Sequence, residues 1–340
     1  MAALLAIALL PAVAGAGSPR ERILATASAP AAHATIVDGA GNLHVAIERT
    51  DRRGIWYATD AGGSWEVERL TRRHDVEPAI TVSQGMVIIV FARLDTDGVS
   101  RGLFTARQAA SGWAVRRETG GIDQKPSIDA ESGVVHLAFE RDRYGGSLWY
   151  MTLGANPTQA AGLCCIGAPS IVVDDHGRPL IAFSQQNHGL ILGRLKNDDE
   201  WLFEQVDDRV TRGPQLELGE RPTIGYFRTG EGPTVRGWAW SGVNNVGQWY
   251  YEDLPGGSSP FDLVVRGSAV DSYTIGTPGT AAAGRIIKHT FGTDSLGTFV
   301  FDRPRNVRSV EIEPVGRDDG SFGLDAAIIY GRHDGVWTVH

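Results

Sequence analysis

The sequence predicts an all-β protein made of repeated four-stranded units. Three observations support this prediction: a composition poor in helix signals, a segment that recurs along the whole chain, and a fixed order of strands and turns within each copy. The 340 residues include 43 Gly and 16 Pro, and few long stretches favour helix, which weighs against a helical bundle. Hydrophobic residues make up 42% of the chain, enough for a sizeable core.

A strand-like segment that follows a polar loop recurs seven times. The copies begin 42 to 50 residues apart and occupy residues 54–59, 102–107, 147–152, 189–194, 236–241, 285–290 and 335–340. The apolar strand before each copy carries an anchor residue, at Ile47, Phe91, Phe139, Phe183, Phe227, Ile275 and Ile329. Two independent markers with one period indicate a repeat architecture.

The third copy shows the order of elements within a repeat. An inner strand at 126–129 is followed by a tight turn at 131–133, a second strand at 135–139, and a third strand at 147–152. A fourth strand opens with an aromatic residue elsewhere, at Trp65, Trp113, Trp201, Trp249 and Phe299. Four antiparallel strands at this period predict a seven-bladed β-propeller over residues 31 to 340. The less regular inner strands at 214–218 and 261–265 leave a six-bladed ring as the alternative.

The two ends of the chain complete this picture. The last copy stops at its third strand, so residues 22–27 are expected to supply the missing outer strand and close the ring. Residues 1–16 are uncharged, apolar and end in Ala14-Gly15-Ala16, which is typical of a secretory signal peptide. We therefore expect a signal peptide at 1–16, one propeller domain at 17–340, and a secreted or periplasmic monomer without membrane insertion after cleavage.

Charge and motif content exclude several functions. Lys plus Arg number 32 against 40 Asp plus Glu, a net charge of -8, which argues against nucleic-acid binding. The nine His show no metal-ligand spacing, and neither a Gly-x-Ser-x-Gly elbow nor a phosphate loop occurs. No cofactor or metal is expected.

One turn carries a family resemblance. The segment from Ala58 to Trp65, Ala-Thr-Asp-Ala-Gly-Gly-Ser-Trp, is similar to the Asp-box of the sialidase-like (BNR repeat) propellers, Ser-x-Asp-x-Gly-x-Thr-Trp, and departs from it at Ala58. The resemblance implies a propeller with carbohydrate chemistry, in which Asp60, Gly62 and Trp65 are structural and lie away from the active face. The sialidase Phe/Tyr-Arg-Ile-Pro segment has only the remnant at 21–24, so a working sialidase is not expected.

Strand direction places the functional loops. Loops between second and third strands, and loops between successive blades, emerge on one face, which we call the mouth face. Arg49, Arg93 and Arg141 each stand two residues after an anchor there, and Gln185 takes that place in copy four. With Arg228 and Arg332 they are the expected substrate-binding residues, since guanidinium groups bind a carboxylate, sulfate or phosphate bidentately. The alternative is that each arginine pairs with Glu48, Glu140 or Asp142.

The same loops hold acid and base candidates. Glu48 and Glu140 would suit a glycosidase, and His74, His188 and Tyr144 would suit a lyase acting on a uronate polysaccharide. The function expected is therefore an exported glycoside hydrolase or polysaccharide lyase acting on an anionic, uronate- or sialate-like glycan. The alternative is a non-catalytic propeller that binds a glycan or a protein partner, which the absence of a family catalytic motif favours.

The only cysteines, Cys164 and Cys165, are adjacent. An oxidising compartment would allow a strained vicinal disulfide that forms a rigid apolar floor for a ligand. Two buried thiols are the alternative.

Overall fold

The computed structural model describes most of the chain with gaps. The described residues are 20–25, 32–109, 112–141, 146–162, 168–185, 188–197, 200–209, 211–219, 222–228, 232–240, 247–253, 257–266, 269–276, 286–291, 299–301, 309–314, 326–332 and 335–339. The proposed signal peptide lies outside them, as do Tyr144 and the two cysteines.

Every regular element in these ranges is a β-strand, and the strands form four-stranded antiparallel sheets, so the predicted all-β class with four-stranded units is confirmed. No helix in the described ranges has the length and apolar character needed to cross a membrane.

The described strands form seven sheets, which we number in chain order. The first strand of the chain, β1 (Arg20–Ala25), belongs to sheet 7. Sheet 1 contains β2 (Ala32–Val37), β3 (Leu43–Glu48), β4 (Ile55–Thr59) and β5 (Glu66–Arg69). Sheet 2 contains β6 (Asp75–Ser83), β7 (Met86–Leu94), β8 (Ser100–Ala109) and β9 (Gly112–Arg117). Sheet 3 contains β10 (Asp123–Glu131), β11 (Val134–Arg141), β12 (Ser147–Thr152) and β13 (Thr158–Ala161).

The later sheets repeat the arrangement. Sheet 4 contains β14 (Ser170–Val173), β15 (Pro179–Gln185), β16 (Gly189–Asn197) and β17 (Glu200–Asp207). Sheet 5 contains β18 (Thr211–Leu218), β19 (Pro222–Arg228), β20 (Gly232–Trp240) and β21 (Gly247–Asp253). Sheet 6 contains β22 (Gly257–Arg266), β23 (Ala269–Gly276), β24 (Ile286–Phe291) and β25 (Phe299–Phe301). Sheet 7 contains β26 (Ser309–Pro314), β27 (Ala326–Arg332), β28 (Gly335–Val339) and β1.

Each sheet contacts the next through its first strand. In sheets 1 to 6 the strands pair in chain order, whereas sheet 7 has the order β1, β28, β27, β26. The first strand of each sheet contacts the first strand of the next, and β26 contacts β2. The strand β1 runs antiparallel to β28, with Arg20 opposite Val339 and Ala25 opposite Gly335.

Apolar side chains fill the spaces between neighbouring sheets. One cluster joins Ile55 and Tyr57 of sheet 1 to Ile80 and Phe91 of sheet 2. The anchors Ile47, Phe91 and Phe139 are fully buried, as the repeat pattern requires. Burial of such a side chain stabilises the fold by about 1.5–3 kcal/mol, so these clusters hold each sheet against its neighbour.

The turn that resembles an Asp-box differs in one detail from the sequence expectation, which gives the positive φ to Gly62. The carboxylate of Asp60 accepts a 2.7 Å hydrogen bond from the backbone N–H of Leu43, which ties this turn to the one between β2 and β3. The positive φ, 78°, falls on Gly63 and not on Gly62, and the carbonyl of Asp60 accepts the N–H of Gly63 at 2.7 Å and closes the turn there. Trp65 packs against the cluster around Val45, so its structural role agrees with the resemblance.

Candidate functional site

Two of the predicted rim arginines are held in identical buried ion pairs. In sheet 2, Nε and Nη2 of Arg93 donate to Asp75 at 2.6 and 2.9 Å. In sheet 3, the same atoms of Arg141 donate to Asp123 at 2.5 and 2.9 Å. Both aspartate side chains are fully buried, and each arginine side chain is only 13% exposed. The Nε/Nη2 edge of each guanidinium, one of the two edges that can bind a ligand carboxylate bidentately, is thus occupied.

Aromatic rings cover the same two guanidinium groups. The Cζ atom of Arg93 lies 3.9 Å from the ring centre of Phe104, and that of Arg141 lies 3.9 Å from the ring centre of Trp149. Each guanidinium therefore sits between an aspartate and an aromatic face, an arrangement that strengthens both contacts when water is excluded.

A one-residue bulge creates these pairs. Near the hairpin turn of sheet 2, Ser83 is opposite Met86, and counting outward from there would place Val76 opposite Arg93. The extra residue between Val76 and Ala79 shifts the register, so Asp75 faces the arginine instead. Sheet 3 has the same shift between Gln124 and Ser127.

Two other predicted binding residues, Arg49 and Arg228, also pair with aspartates. Arg49 pairs with Asp51 at 2.8 and 2.5 Å and lies over Trp56. Arg228 donates to Asp207 at 2.8 Å, and the hydroxyl of Tyr226 donates to the same carboxylate at 2.6 Å.

Gln185 and Arg332 are the remaining predicted binding residues. The amide Nε2 of Gln185 is 3.4 Å from the carbonyl of Gly162. Arg332 ends β27, and only its backbone belongs to the described part of the chain. Arg49, Arg93 and Arg141 thus pair with acidic groups, as the sequence alternative has it, but the partners are Asp51, Asp75 and Asp123. The expected partners Glu48 and Glu140 instead bind Glu77 and Lys125, and Asp142 lies outside the described residues.

The predicted carboxylates Glu48 and Glu140 belong to a different arrangement, which we call the mouth network. The backbone N–H of Glu77 donates to Glu48 at 2.8 Å. The backbone N–H of Lys125 donates to the Glu77 carboxylate at 2.8 Å, and the ammonium of Lys125 donates to Glu140 at 2.6 Å. These four residues link sheets 1, 2 and 3 at the ends of their first two strands. Glu77 and Lys125 are not among the site residues predicted from the sequence.

The bulges shape this network as well. Glu77 and Lys125 occupy equivalent bulge positions and have φ values of 54° and 51°, in the left-handed region that non-glycine residues seldom adopt. Each is followed by proline, Pro78 or Pro126. Such backbone strain is retained where the surrounding contacts hold it, and it turns the N–H of each residue towards the neighbouring sheet.

Glu48 has an unusual electrostatic environment. Burial raises the pKa of its carboxyl group, the negative charge of Glu77 raises it further, and the hydrogen bond from the Glu77 N–H opposes the rise. Among the described residues, no cationic side chain contacts Glu48, whereas Glu140 is ion-paired with Lys125. The carboxyl group of Glu48 therefore lies beside a negative charge, and that of Glu140 lies beside a positive charge.

Side-chain acceptors also join first strands elsewhere. Ser127 accepts the N–H of Ile171 at 3.1 Å, and Asp129 accepts the N–H of Val173 at 2.7 Å. Ser170 accepts the N–H of Leu216 at 2.9 Å. First strands of adjacent sheets do not pair, so these bonds satisfy N–H groups that would otherwise be orphaned.

The lyase candidates are not brought together within the described residues. His74 is half-buried next to Asp75, and its carbonyl accepts the N–H of Leu94. His188 is exposed, and its carbonyl accepts a hydrogen bond from Gln205. Tyr144, Cys164 and Cys165 lie outside the described residues. In the described part of the chain, no group of three or more His, Cys, Asp or Glu side chains is arranged to hold a metal ion.

Comparison with known proteins identifies the fold and no family. No protein-family model and no curated protein matches the chain significantly. The lectin of the fungus Aleuria aurantia, a six-bladed β-propeller with a novel mode of fucose recognition, aligns with a TM-score of 0.51 at 11% identity over 87% of this chain and 99% of the lectin. This similarity supports a β-propeller fold alone.

Two glycoside hydrolases align less well. A thermostable family-43 glycoside hydrolase has a TM-score of 0.43 at 8% identity, over 68% of this chain and 94% of the hydrolase. An α-L-arabinofuranosidase from Lactobacillus brevis has a TM-score of 0.41 at 9% identity, over 64% of this chain and 93% of that enzyme. Alignments at this level support no inference about activity.

Proposed function

We propose that this chain is a carbohydrate-active β-propeller, a glycoside hydrolase whose proton donor is Glu48. The observation that carries the proposal is the contrast between two carboxyl groups of the mouth network. Glu48 is half-buried, lies beside the charge of Glu77 and has no cationic partner among the described residues, whereas the buried Glu140 is ion-paired with Lys125. Glycoside hydrolysis requires one protonated and one ionised carboxyl group, and such environments separate the two roles.

A polysaccharide screen tests the proposal. The purified chain is incubated with neutral and anionic polysaccharides, and new reducing ends are measured together with unsaturated ends. We expect reducing ends from the wild type, and a rate at least about 100-fold lower for Glu48→Gln, since general acid catalysis contributes about that much. Glu66→Gln, an exposed carboxylate on the outer strand β5, is the control.

Three outcomes would overturn it. Unsaturated ends would identify a lyase, an unchanged rate for Glu48→Gln would remove this residue from the chemistry, and no product from any polysaccharide would remove hydrolysis altogether.

A non-catalytic glycan-binding propeller is the second candidate. The observation favouring it is that Glu48 and Glu77 accept backbone N–H groups of the next sheet, as Ser127 and Ser170 do. On this reading the mouth network only joins sheets. Glycan binding without any product, together with a lower melting temperature of Glu48→Gln, would favour it.

The finer architecture is also a proposal. We propose that the seven sheets are blades of one ring closed by β1, which the pairing of β1 with β28 and the contact of β26 with β2 support. The Asp-box-like turn makes a distant relationship to sialidase-like propellers part of the same proposal. Export of a monomer after cleavage behind residue 16 completes it, and N-terminal sequencing of the secreted protein tests the cleavage.

A further inference from the structure

Two loops of sheet 1 lie side by side on the mouth face. Residues 49–54 connect β3 to β4, and residues 70–74 connect β5 to β6. The carbonyl of Ile55 accepts the N–H groups of Leu70 and Thr71 at 2.9 and 3.2 Å, and the N–H of Ile55 donates to the Thr71 hydroxyl at 3.0 Å. The two loops are thus fixed next to each other.

Arg69 holds the loops together from the outside. Its Nε donates to the carbonyl of Thr71 at 2.9 Å, and its Nη2 donates to the carbonyl of Arg53 at 2.5 Å. The loop backbones are therefore arranged before any ligand arrives, which lowers the entropic cost of binding.

Four other arginines project from these loops: Arg52, Arg53, Arg72 and Arg73. All four are exposed, and none of their side chains forms an ion pair or hydrogen bond with another described residue. The nearby carboxylate of Asp51 is taken by Arg49. The surface, which we call the arginine patch, therefore carries four uncompensated positive charges on a chain whose net charge is -8.

Sheet 2 contains the same scaffold without the patch. Arg117 repeats the contacts of Arg69, since it donates to the carbonyls of Thr119 and Arg101 at 2.8 and 2.6 Å. The positions after Thr119 that correspond to Arg72 and Arg73 are Gly120 and Gly121. Arg101 corresponds to Arg53 and pairs with Asp95 at 2.9 Å. Sheet 2 keeps an arginine at the position of Arg53 but not at the positions of Arg72 and Arg73, so folding does not require these two arginines.

We infer that the arginine patch binds an anionic polysaccharide, with carboxylate or sulfate groups on successive sugars engaging guanidinium groups of the two loops. Guanidinium groups match both anions with paired hydrogen bonds, and an exposed cluster raises the local concentration of a polyanion. The inference rests on the proposed function in one respect, namely that the ligand is a glycan. It adds that this glycan is anionic, and that the arginine patch would hold it next to the mouth network.

Binding is measured by titration calorimetry at 50 mM NaCl with the full chain and two probes, polygalacturonate and chondroitin sulfate. We expect wild-type binding that weakens as salt is added, and affinity lower by about tenfold or more in Arg72→Gln/Arg73→Gln and in Arg52→Gln/Arg53→Gln, because each removes charge-assisted bonds. The matched control Arg101→Gln should change affinity by less than about twofold, since its guanidinium is exposed and already paired. Binding of only one probe identifies the anionic group.

Several results would overturn the inference: no binding of either probe by the wild type, unchanged affinity in both double variants, or equal binding of dextran. Equal affinity for a single-stranded DNA of similar length would show a nonselective cationic surface and would also overturn it. The substitutions are exposed, so unchanged melting temperatures are expected. Glu48→Gln separates the two proposals, because loss of the proposed function leaves binding at the patch intact.

Discussion

Arg93 and Asp75 face each other across the first two strands of sheet 2, with two hydrogen bonds of 2.6 and 2.9 Å between guanidinium and carboxylate. The aspartate is fully buried, and a phenylalanine ring covers the arginine. Because the same relationship recurs between Arg141 and Asp123, the pair is a repeated building unit of the fold.

Arg93→Ala should therefore reduce stability. Removal of the guanidinium leaves the Asp75 carboxylate buried without a partner, which costs about 3 kcal/mol or more in such pairs. Urea unfolding measures the loss. Arg101→Ala, whose side chain is 66% exposed, is the control and should change the free energy of unfolding by less than about 1 kcal/mol. Wild-type stability of Arg93→Ala would contradict the structural role of the pair.

Sequence periodicity predicted the strands well because apolar burial repeats with the blade. The anchors Ile47 and Ile275 both fall in second strands, β3 and β23, although the chain around Ile275 has an irregular pattern. The inner strands of sheets 5 and 6 start earlier than expected, at Thr211 and Gly257. A bulge before Gln215 in sheet 5, and another before Phe261 in sheet 6, interrupts the alternation of apolar and polar residues. The first residues of these two strands therefore could not be recognised from that alternation.

The site was harder to predict. Alternation located Arg93, but its partner depends on a one-residue shift of register. Without the bulge, Val76 would face the arginine. The available signal was a repeated Asp-x-x-Pro sequence, at 75–78 and 123–126, with each aspartate 18 residues before its arginine. The contact of Glu48 with Glu77 joins two sheets, which no spacing within one repeat reveals.

The proposed closure of the ring by β1 predicts a stability effect at Ile23. This side chain is 5% exposed and packs in one cluster with Leu43, Val45 and Val336. Ile23→Ala should lower the free energy of unfolding by about 2–4 kcal/mol, because a buried cavity remains. Arg22→Ala, an exposed neighbour, should lower it by less than about 1 kcal/mol. Equal stabilities of the two variants would argue against a docked β1.

Asp129 predicts a pH dependence of stability. Burial raises the pKa of its carboxyl group from 3.8 to about 6, against the hydrogen bonds from Val173 and Ala130. A raised folded-state pKa means that stability is fully present below 3.8 and is lost as the pH rises through about 6. Asp129→Asn removes this loss, so its stability relative to wild type should increase by about 2–3 kcal/mol between pH 4 and pH 7.

The measurement is urea unfolding at both pH values. Asp175→Asn, whose carboxylate is 87% exposed, should show no such change. A constant difference between Asp129→Asn and wild type would contradict the prediction.

Gly54 supports the two loops of the arginine patch. Its φ is 119°, and a Cβ atom there would overlap the carbonyl oxygen of Thr71. Gly41 also has a positive φ, 86°, but nothing lies near its missing Cβ. Gly54→Ala should therefore destabilise the fold by more than the ~1 kcal/mol expected for Gly41→Ala, and it should weaken polygalacturonate binding as well. Thermal unfolding of both variants measures the two losses of stability. Equal losses would show that the backbone at Thr71 moves aside for the added Cβ atom at little cost.

The proposed acid Glu48 predicts the shape of the pH profile of hydrolysis. The acid acts in its protonated form, so kcat/KM should fall as the pH rises through the raised pKa of Glu48. Glu77→Gln removes a negative charge that raises this pKa but keeps the backbone N–H that binds Glu48, so the alkaline limb should move to lower pH. Glu66→Gln, far from the mouth on β5, should leave the limb in place. An unmoved limb in Glu77→Gln, with hydrolysis still dependent on Glu48, would show that the charge of Glu77 does not reach the proton donor.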